Sequence, residues 1–430
     1  MNKPKKLGWL GVAAAVILPL AGLRTSGVLA SGWRKADNEL YVVSRKLHGT
    51  LVDFTFNHGK DNRMWSRSLE QRRDMYVYLP PGYDPQLQYP IMILMHGFAS
   101  DEQTIFRIAP ELDSAMVKGT LPPFIVAVPD GSLTGEPCLL TPGSFFLNSE
   151  AGAFEDFILQ DVWDFMIRRY RIRPERNAHV LAGVSMGGFG AYSLGIRHRE
   201  GFGVVVGVNA PLNLRWVDKQ QRYFSDFDPY NWGWREQFRP HEPVGRFMGG
   251  LLTIRVKHML GNNFGKDDEA TQQVSAFNPI ELIDRTRLRN GELAMYIAYA
   301  GQDEFNIDAQ VESFLYVCKH RGLEIGVGYK ADGKHDSDTA IALLPGVFYF
   351  LTPILSPYSP GIPISHAQAP AAAEATPASA QPVARESGPR AEAPRAETPR
   401  AETPPVPALR EPSPIRQTSQ QTRVPFRPQR

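Results

Sequence analysis

Cysteine is almost absent. Cys138 and Cys318 are the only two in 430 residues and stand far apart, which excludes a disulfide framework and a thiolate metal cluster. They read as two unpaired buried thiols rather than as a single disulfide. A charge excess of one sign is lacking too, since 47 basic and 45 acidic residues leave a formal +2. That balance gives no sign of the clustered Lys and Arg that nucleic-acid binding requires. Histidines and carboxylates do not recur at metal-ligand spacing, so neither a metal nor another cofactor is expected.

The two ends of the chain are distinctive. Lys3, Lys5 and Lys6 precede an apolar run from Leu7 to Leu23, followed by Gly27-Val28-Leu29-Ala30. Residues 1–30 thus have the make-up of an export signal cleaved after Ala30. The rival reading is an uncleaved anchor, because the run is near the lower limit for spanning a bilayer. A lipidation cysteine and a twin-arginine pair are both missing there. Either reading puts the bulk of the protein outside the cytoplasm, in the periplasm, the envelope or the medium. At the other end, residues 356–430 hold sixteen of the 36 prolines and repeat Pro-Arg-Ala-Glu-Ala/Thr between Pro389 and Pro404. So little apolar bulk remains that a disordered, extended spacer is expected. Nine arginines against six glutamates also allow a weak attraction to an anionic envelope.

Between these ends, residues 31–355 read as one α/β domain. Strand-like runs fall near Thr50–Phe56, Asp74–Leu79, Pro90–His96, Phe124–Pro129, His179–Val184, Val204–Asn209, Leu293–Ala300 and Glu324–Tyr329. Helical stretches alternate with them: Asp101–Lys118, Glu155–Tyr170, Gly187–His198, Ala309–Arg321 and Ser337–Phe350. That alternation predicts a mostly parallel eight-stranded sheet with helices on both faces. The first two strands, with their short connections, suit an antiparallel start.

The fifth strand runs into Gly183-Val-Ser185-Met-Gly187-Gly188 and then into a helix. Strand, sharp turn and helix are the setting of a nucleophile elbow, with small residues two before and two after the serine so that strand and helix can approach. A serine hydroxyl becomes a nucleophile only beside a base that a carboxylate holds in the right tautomer. In the α/β-hydrolase fold the chain order is serine, acid, histidine. His335, in the loop after the last strand, suits the base. His198, His241, His258, His320 and His366 fall at a helix end, in a long insertion, in a helix or in the tail. Asp303, directly after the seventh strand, suits the acid and ranks ahead of its neighbours Glu304 and Asp308 by position. A tetrahedral intermediate also needs two N–H donors. The backbone amides of Met186 and of Phe98, in the loop after the third strand, are the candidates. His96, at that strand's end, is expected to brace the loop.

These stretches resemble the esterase D family of α/β-hydrolases. Tyr76-Val-Tyr-Leu-Pro-Pro-Gly-Tyr, Tyr89-Pro-Ile-Met-Ile-Leu-Met-His-Gly, Pro129-Asp-Gly, the serine elbow, Ala300-Gly-Gln-Asp and Gly333-Lys-His-Asp carry the resemblance in order, over about residues 49–352. The family includes feruloyl and acetylxylan esterases, siderophore esterases, S-formylglutathione hydrolase and mycolyltransferases. The resemblance implies Ser185 as nucleophile, Asp303 as acid and His335 as base. Two departures bear on the substrate: Asp336-Ser-Asp-Thr comes after the histidine where an aromatic is common, and the insertion at about 210–289 is long. That insertion carries Trp216, Tyr223, Phe224, Phe227, Tyr230, Trp232, Trp234 and Phe238, as internal packing, as a substrate-stacking surface or under a lid. The expected activity is hydrolysis of a small-molecule, carbohydrate or lipid ester by an exported serine carboxylesterase. An acyltransferase using the same triad and a non-catalytic binding module of the same fold are the alternatives.

Overall fold

The apolar runs assemble into one sheet. The computed structural model describes residues 39–135, 143–261, 263–265 and 267–362. Its eight main strands are β1 (Thr50–Phe54), β2 (Met75–Leu79), β3 (Ile91–Met95), β4 (Ile125–Pro129), β5 (His179–Val184), β6 (Val204–Val208), β7 (Ala294–Ala300) and β8 (Gly326–Lys330). Across the sheet they lie in the order β1-β2-β4-β3-β5-β6-β7-β8. β2 is antiparallel to both its neighbours. Every pair from β4-β3 to β7-β8 is parallel. A parallel sheet is covered on both faces and needs strands that are apolar throughout. β2, β3, β4 and β6 are accordingly buried along their whole length, while the edge strands β1 and β8 are half-exposed.

The main helices are α1 (Ile105–Val117), α2 (Trp163–Arg169, entered through a π-helical turn Phe157–Val162), α3 (Met186–Arg197), α4 (Asp267–Phe277), α5 (Pro279–Arg285), α6 (Ile307–His320) and α7 (Ser337–Leu355). Strand residues alternate between two cores. Val180 and Ala182 join the side chains of α1 and α7, whereas Leu181 joins those of α2, α3, α5 and α6. α7 ends at Leu355, where the sequence turns Pro-rich. The expected eight-stranded α/β-hydrolase arrangement is the one observed.

The insertion between β6 and β7 folds as two small antiparallel ribbons, then α4 and α5. One ribbon pairs Trp216–Asp218 with Trp232–Trp234. The other pairs Pro243–Phe247 with Leu252–Arg255. Most of its aromatics pack inward: Trp216, Tyr223, Trp232 and Phe238 are buried, and only Tyr230 is well exposed, at 62%. Cys318 is buried in α6 and free. The export segment, Cys138, His366 and the tail beyond Ile362 lie outside the described residues.

Candidate active site

β5 stops at Val184, and the chain turns through Ser185 directly into α3. Ser185 has φ 53° and ψ −119°, a conformation that costs a non-glycine residue on the order of 1–3 kcal/mol. Its surroundings impose it. The Ser185 N–H donates to Val208 O at 2.8 Å, and the Phe189 N–H donates to Ser185 O at 3.1 Å. The flanking glycines are required by close approach. A Cβ on Gly183 would strike the backbone of Gly187, and a Cβ on Gly187 would strike Met95 O and lie 2.6 Å from His96 O. Strand, turn and helix can meet only because both side chains are absent.

Two loops bring side chains to Ser185. The turn after β7 carries Asp303, whose side chain is fully buried. Its Oδ1 accepts the Phe305 N–H at 2.8 Å. Its Oδ2 lies 2.7 Å from His335 Nδ1. A carboxylate can only accept, so Nδ1 carries the proton and Nε2 keeps its lone pair. Nε2 lies 2.9 Å from Ser185 Oγ. The loop after β8 thus sets the imidazole between carboxylate and hydroxyl, poised to take the hydroxyl proton. Burial by itself would depress the His335 pKa. The Asp303 carboxylate, helped by Glu304 and Asp336, outweighs it and holds the imidazole above its ordinary value. Among the described residues, Asp303 and not Glu304 or Asp308 meets the ring. Glu304 instead accepts the His335 backbone N–H at 2.8 Å. Asp308 lies in the first turn of α6, where burial and then the Asp303 charge push its pKa up to about 6.

The loop after β3 closes the third side. A Cβ on Gly97 would lie 3.6 Å from Ser185 Cβ, so the loop of Phe98 packs against the elbow that carries Met186. His96 is buried below it. Its Nε2 accepts the Gly131 N–H at 2.8 Å, and Nδ1 then donates to Gly97 O at 2.9 Å. Gly131 comes directly after Asp130, whose carboxylate lies 3.1 Å from the Arg73 guanidinium. Burial raises the Asp130 pKa, but the Arg73 charge, with the Ser132 N–H, holds it below the usual carboxylate range. His96 therefore ties the loop to a buried ion pair, the bracing role its position suggested. Arg73 gave no sequence signal, whereas Asp130 did, directly after β4 in Pro129-Asp-Gly.

Two of the other candidate histidines are engaged elsewhere: His198 lies 2.8 Å from Glu155, and His320 donates to Tyr316 O at 2.8 Å in its own helix. The rim is apolar. The Phe305 ring lies edge-on to His335, centroids 4.7 Å apart, and Phe247 packs on Phe305 at 5.2 Å. Behind the elbow, the Phe98 and Met186 side chains close on Gly143, where a Cβ would meet both. Phe247 and Phe305 escaped sequence reasoning because their partnership spans the insertion.

Strand order, elbow and connectivity define an α/β-hydrolase fold. A ferulic acid esterase of known structure shares it with a TM-score of 0.53 at 17% identity, covering 72% of this chain and 99% of that one. The chain belongs to the esterase family described as "Putative esterase", whose model matches residues 66–340. An endo-1,4-beta-xylanase/feruloyl esterase of Xylanibacter ruminicola is 27% identical over 177 residues, 39% of this chain and 22% of that protein. An uncharacterized protein of Corynebacterium glutamicum is 22% identical over 266 residues, 59% of this chain and 58% of that protein. The chain thus spans less than two thirds of either relative.

Proposed function

We propose that this protein is an exported serine carboxylesterase that works through an acyl-enzyme. Ser185 Oγ attacks the ester carbonyl while His335 Nε2 takes its proton. The backbone N–H groups of Met186 and Phe98 receive the oxyanion, at the positive N-terminal end of α3. Protonated His335, steadied by Asp303, then gives its proton to the departing alkoxide. Water enters, loses a proton to His335 and attacks the acyl carbonyl, and Ser185 leaves with that proton restored. The observation that carries this reading is the unbroken chain Ser185 Oγ, His335, Asp303, with links of 2.9 and 2.7 Å. The Phe305 ring against His335, with Phe247 behind it, favours an aromatic or apolar acyl group. The relative from Xylanibacter ruminicola, a xylanase/feruloyl esterase by name, supports a carbohydrate ester as substrate. Export rests on the lysines and apolar run of residues 1–30.

The test pairs the parent with Ser185→Ala. A fluorophosphonate probe and short-chain nitrophenyl esters should label and turn over with the parent alone. A folded parent that shows neither, or a mutant that retains both, overturns the assignment. Profiling acetyl, feruloyl and long acyl esters then selects the acyl group.

A further inference from the structure

We infer that Glu304 is a positioning residue for His335 and that it joins this histidine to the hairpin Pro243–Arg255 of the insertion. The inference rests on the assignment of His335 as the base. Asp303 fixes the imidazole ring but does not touch the main chain of His335. Glu304 supplies the second point of attachment. Its Oε2 accepts the His335 backbone N–H at 2.8 Å, so adjacent carboxylates on one turn hold the ring and the main chain of the same residue.

The opposite end of Glu304 faces the insertion. Its carbonyl accepts the Arg246 N–H at 2.9 Å. Next to it, the Phe305 ring fills the space that a side chain on Gly245 would occupy and packs on Phe247. The Phe305 carbonyl accepts the Tyr223 hydroxyl at 2.7 Å. The acid turn is thus gripped by the insertion on one side and grips the base on the other. The charged groups around His335 are Asp303 and Glu304 from this turn and Asp336 from its own loop. Arg246 directs its guanidinium elsewhere, over the Phe224 ring at 4.0 Å.

Two consequences separate positioning from mere support. A backbone hydrogen bond to a carboxylate orders the loop, and a small misplacement of a base costs turnover. A negative charge near the imidazole also favours its protonated form. Glu304→Ala removes both effects, whereas Glu304→Gln keeps an acceptor and loses the charge. We expect kcat on a nitrophenyl ester to fall about tenfold in Glu304→Ala with KM little changed, and Glu304→Gln to recover most of that loss. In Glu304→Gln the acidic limb of the kcat/KM profile should move to lower pH by about 0.5 to 1. A folded Glu304→Ala with the parent's kcat and pH profile overturns the inference. Should Glu304→Ala not fold, the Glu304→Gln profile decides alone: a shifted limb supports it and an unmoved limb refutes it. Turnover persisting in Ser185→Ala would instead overturn the underlying assignment. An enzyme dependent on Ser185 but indifferent to Glu304 overturns only this inference.

Discussion

Replacing Asp303 with Asn preserves shape and removes one charge, yet it should reverse the hydrogen-bond polarity of the whole triad. The Phe305 N–H already donates to Oδ1 at 2.8 Å, so the amide oxygen of the new side chain must stay there. That leaves the amide NH2 facing His335 Nδ1, where the 2.7 Å contact is tolerable only if Nδ1 is the acceptor. The proton then moves to Nε2, which donates to Ser185 Oγ instead of accepting from it. The hydroxyl has lost its base although every atom remains in place. Turnover should drop roughly a thousandfold to ten-thousandfold, about 4 to 5.5 kcal/mol in the barrier, with KM within a few-fold of the parent. Hydrolysis of nitrophenyl acetate over a pH series, with active sites counted by fluorophosphonate titration, measures this. An Asp303→Asn enzyme with more than a tenth of parental turnover at neutral pH would refute the tautomer argument, and with it Asp303 as the orienting acid.

The same geometry sets four further outcomes. Ser185→Gly should abolish probe labelling yet raise the unfolding midpoint by about 2 °C, because glycine tolerates the positive φ that strains serine; an unchanged or lower midpoint would show the strain to be negligible. Gly187→Ala should lower soluble yield and the thermal midpoint sharply, since its Cβ meets backbone on β3 rather than a yielding side chain. Burial would raise the Glu155 pKa, but His198 and Arg197 pull it down to about 2 from 4.5. This ion pair contributes about 3 kcal/mol above pH 4.5 and loses it as pH falls towards 2, so denaturant melts of Glu155→Gln should converge on the parent in acid. His335 works with the opposite sign. Its raised pKa adds stability below pH 6.5 that is lost as pH rises through the folded value, so the stability gap between parent and Asp303→Asn should narrow with rising pH while esterase activity grows.

The sheet was legible because its strands are buried on both faces: Ile91–Met95 and Val204–Val208 are unbroken apolar runs, and such a run at this length reads as a strand. That Ser185, Asp303 and His335 meet was legible because each lies at or shortly past the C-terminal end of a parallel strand, which brings all three to the same end of the sheet. The insertion was not. Trp216–Asp218 and Trp232–Trp234 are three-residue strands, too short to show a period, and their aromatics satisfy packing and ligand-binding readings equally until the contacts are seen. The π-helical turn Phe157–Val162 was equally silent, since its residues fit a continuous α-helical pattern. Glu304 was visible only as a rival to Asp303, because nothing in a linear chain reveals that its carboxylate meets the main chain of residue 335.

The hairpin Pro243–Arg255 and the turn that carries Asp303 share a seam at Glu304 and Phe305. Under the proposed function, substrate choice and chemical competence are therefore not separable modules in this chain. Exchanging the insertion with that of a relative would import new rim residues and, in the same stroke, remove the abutment of the acid turn. Chimeras made that way should lose rate on every ester before they gain preference for any. Changes to the solvent-facing tip of the hairpin, which leave the seam whole, are the route along which specificity can drift while turnover is kept.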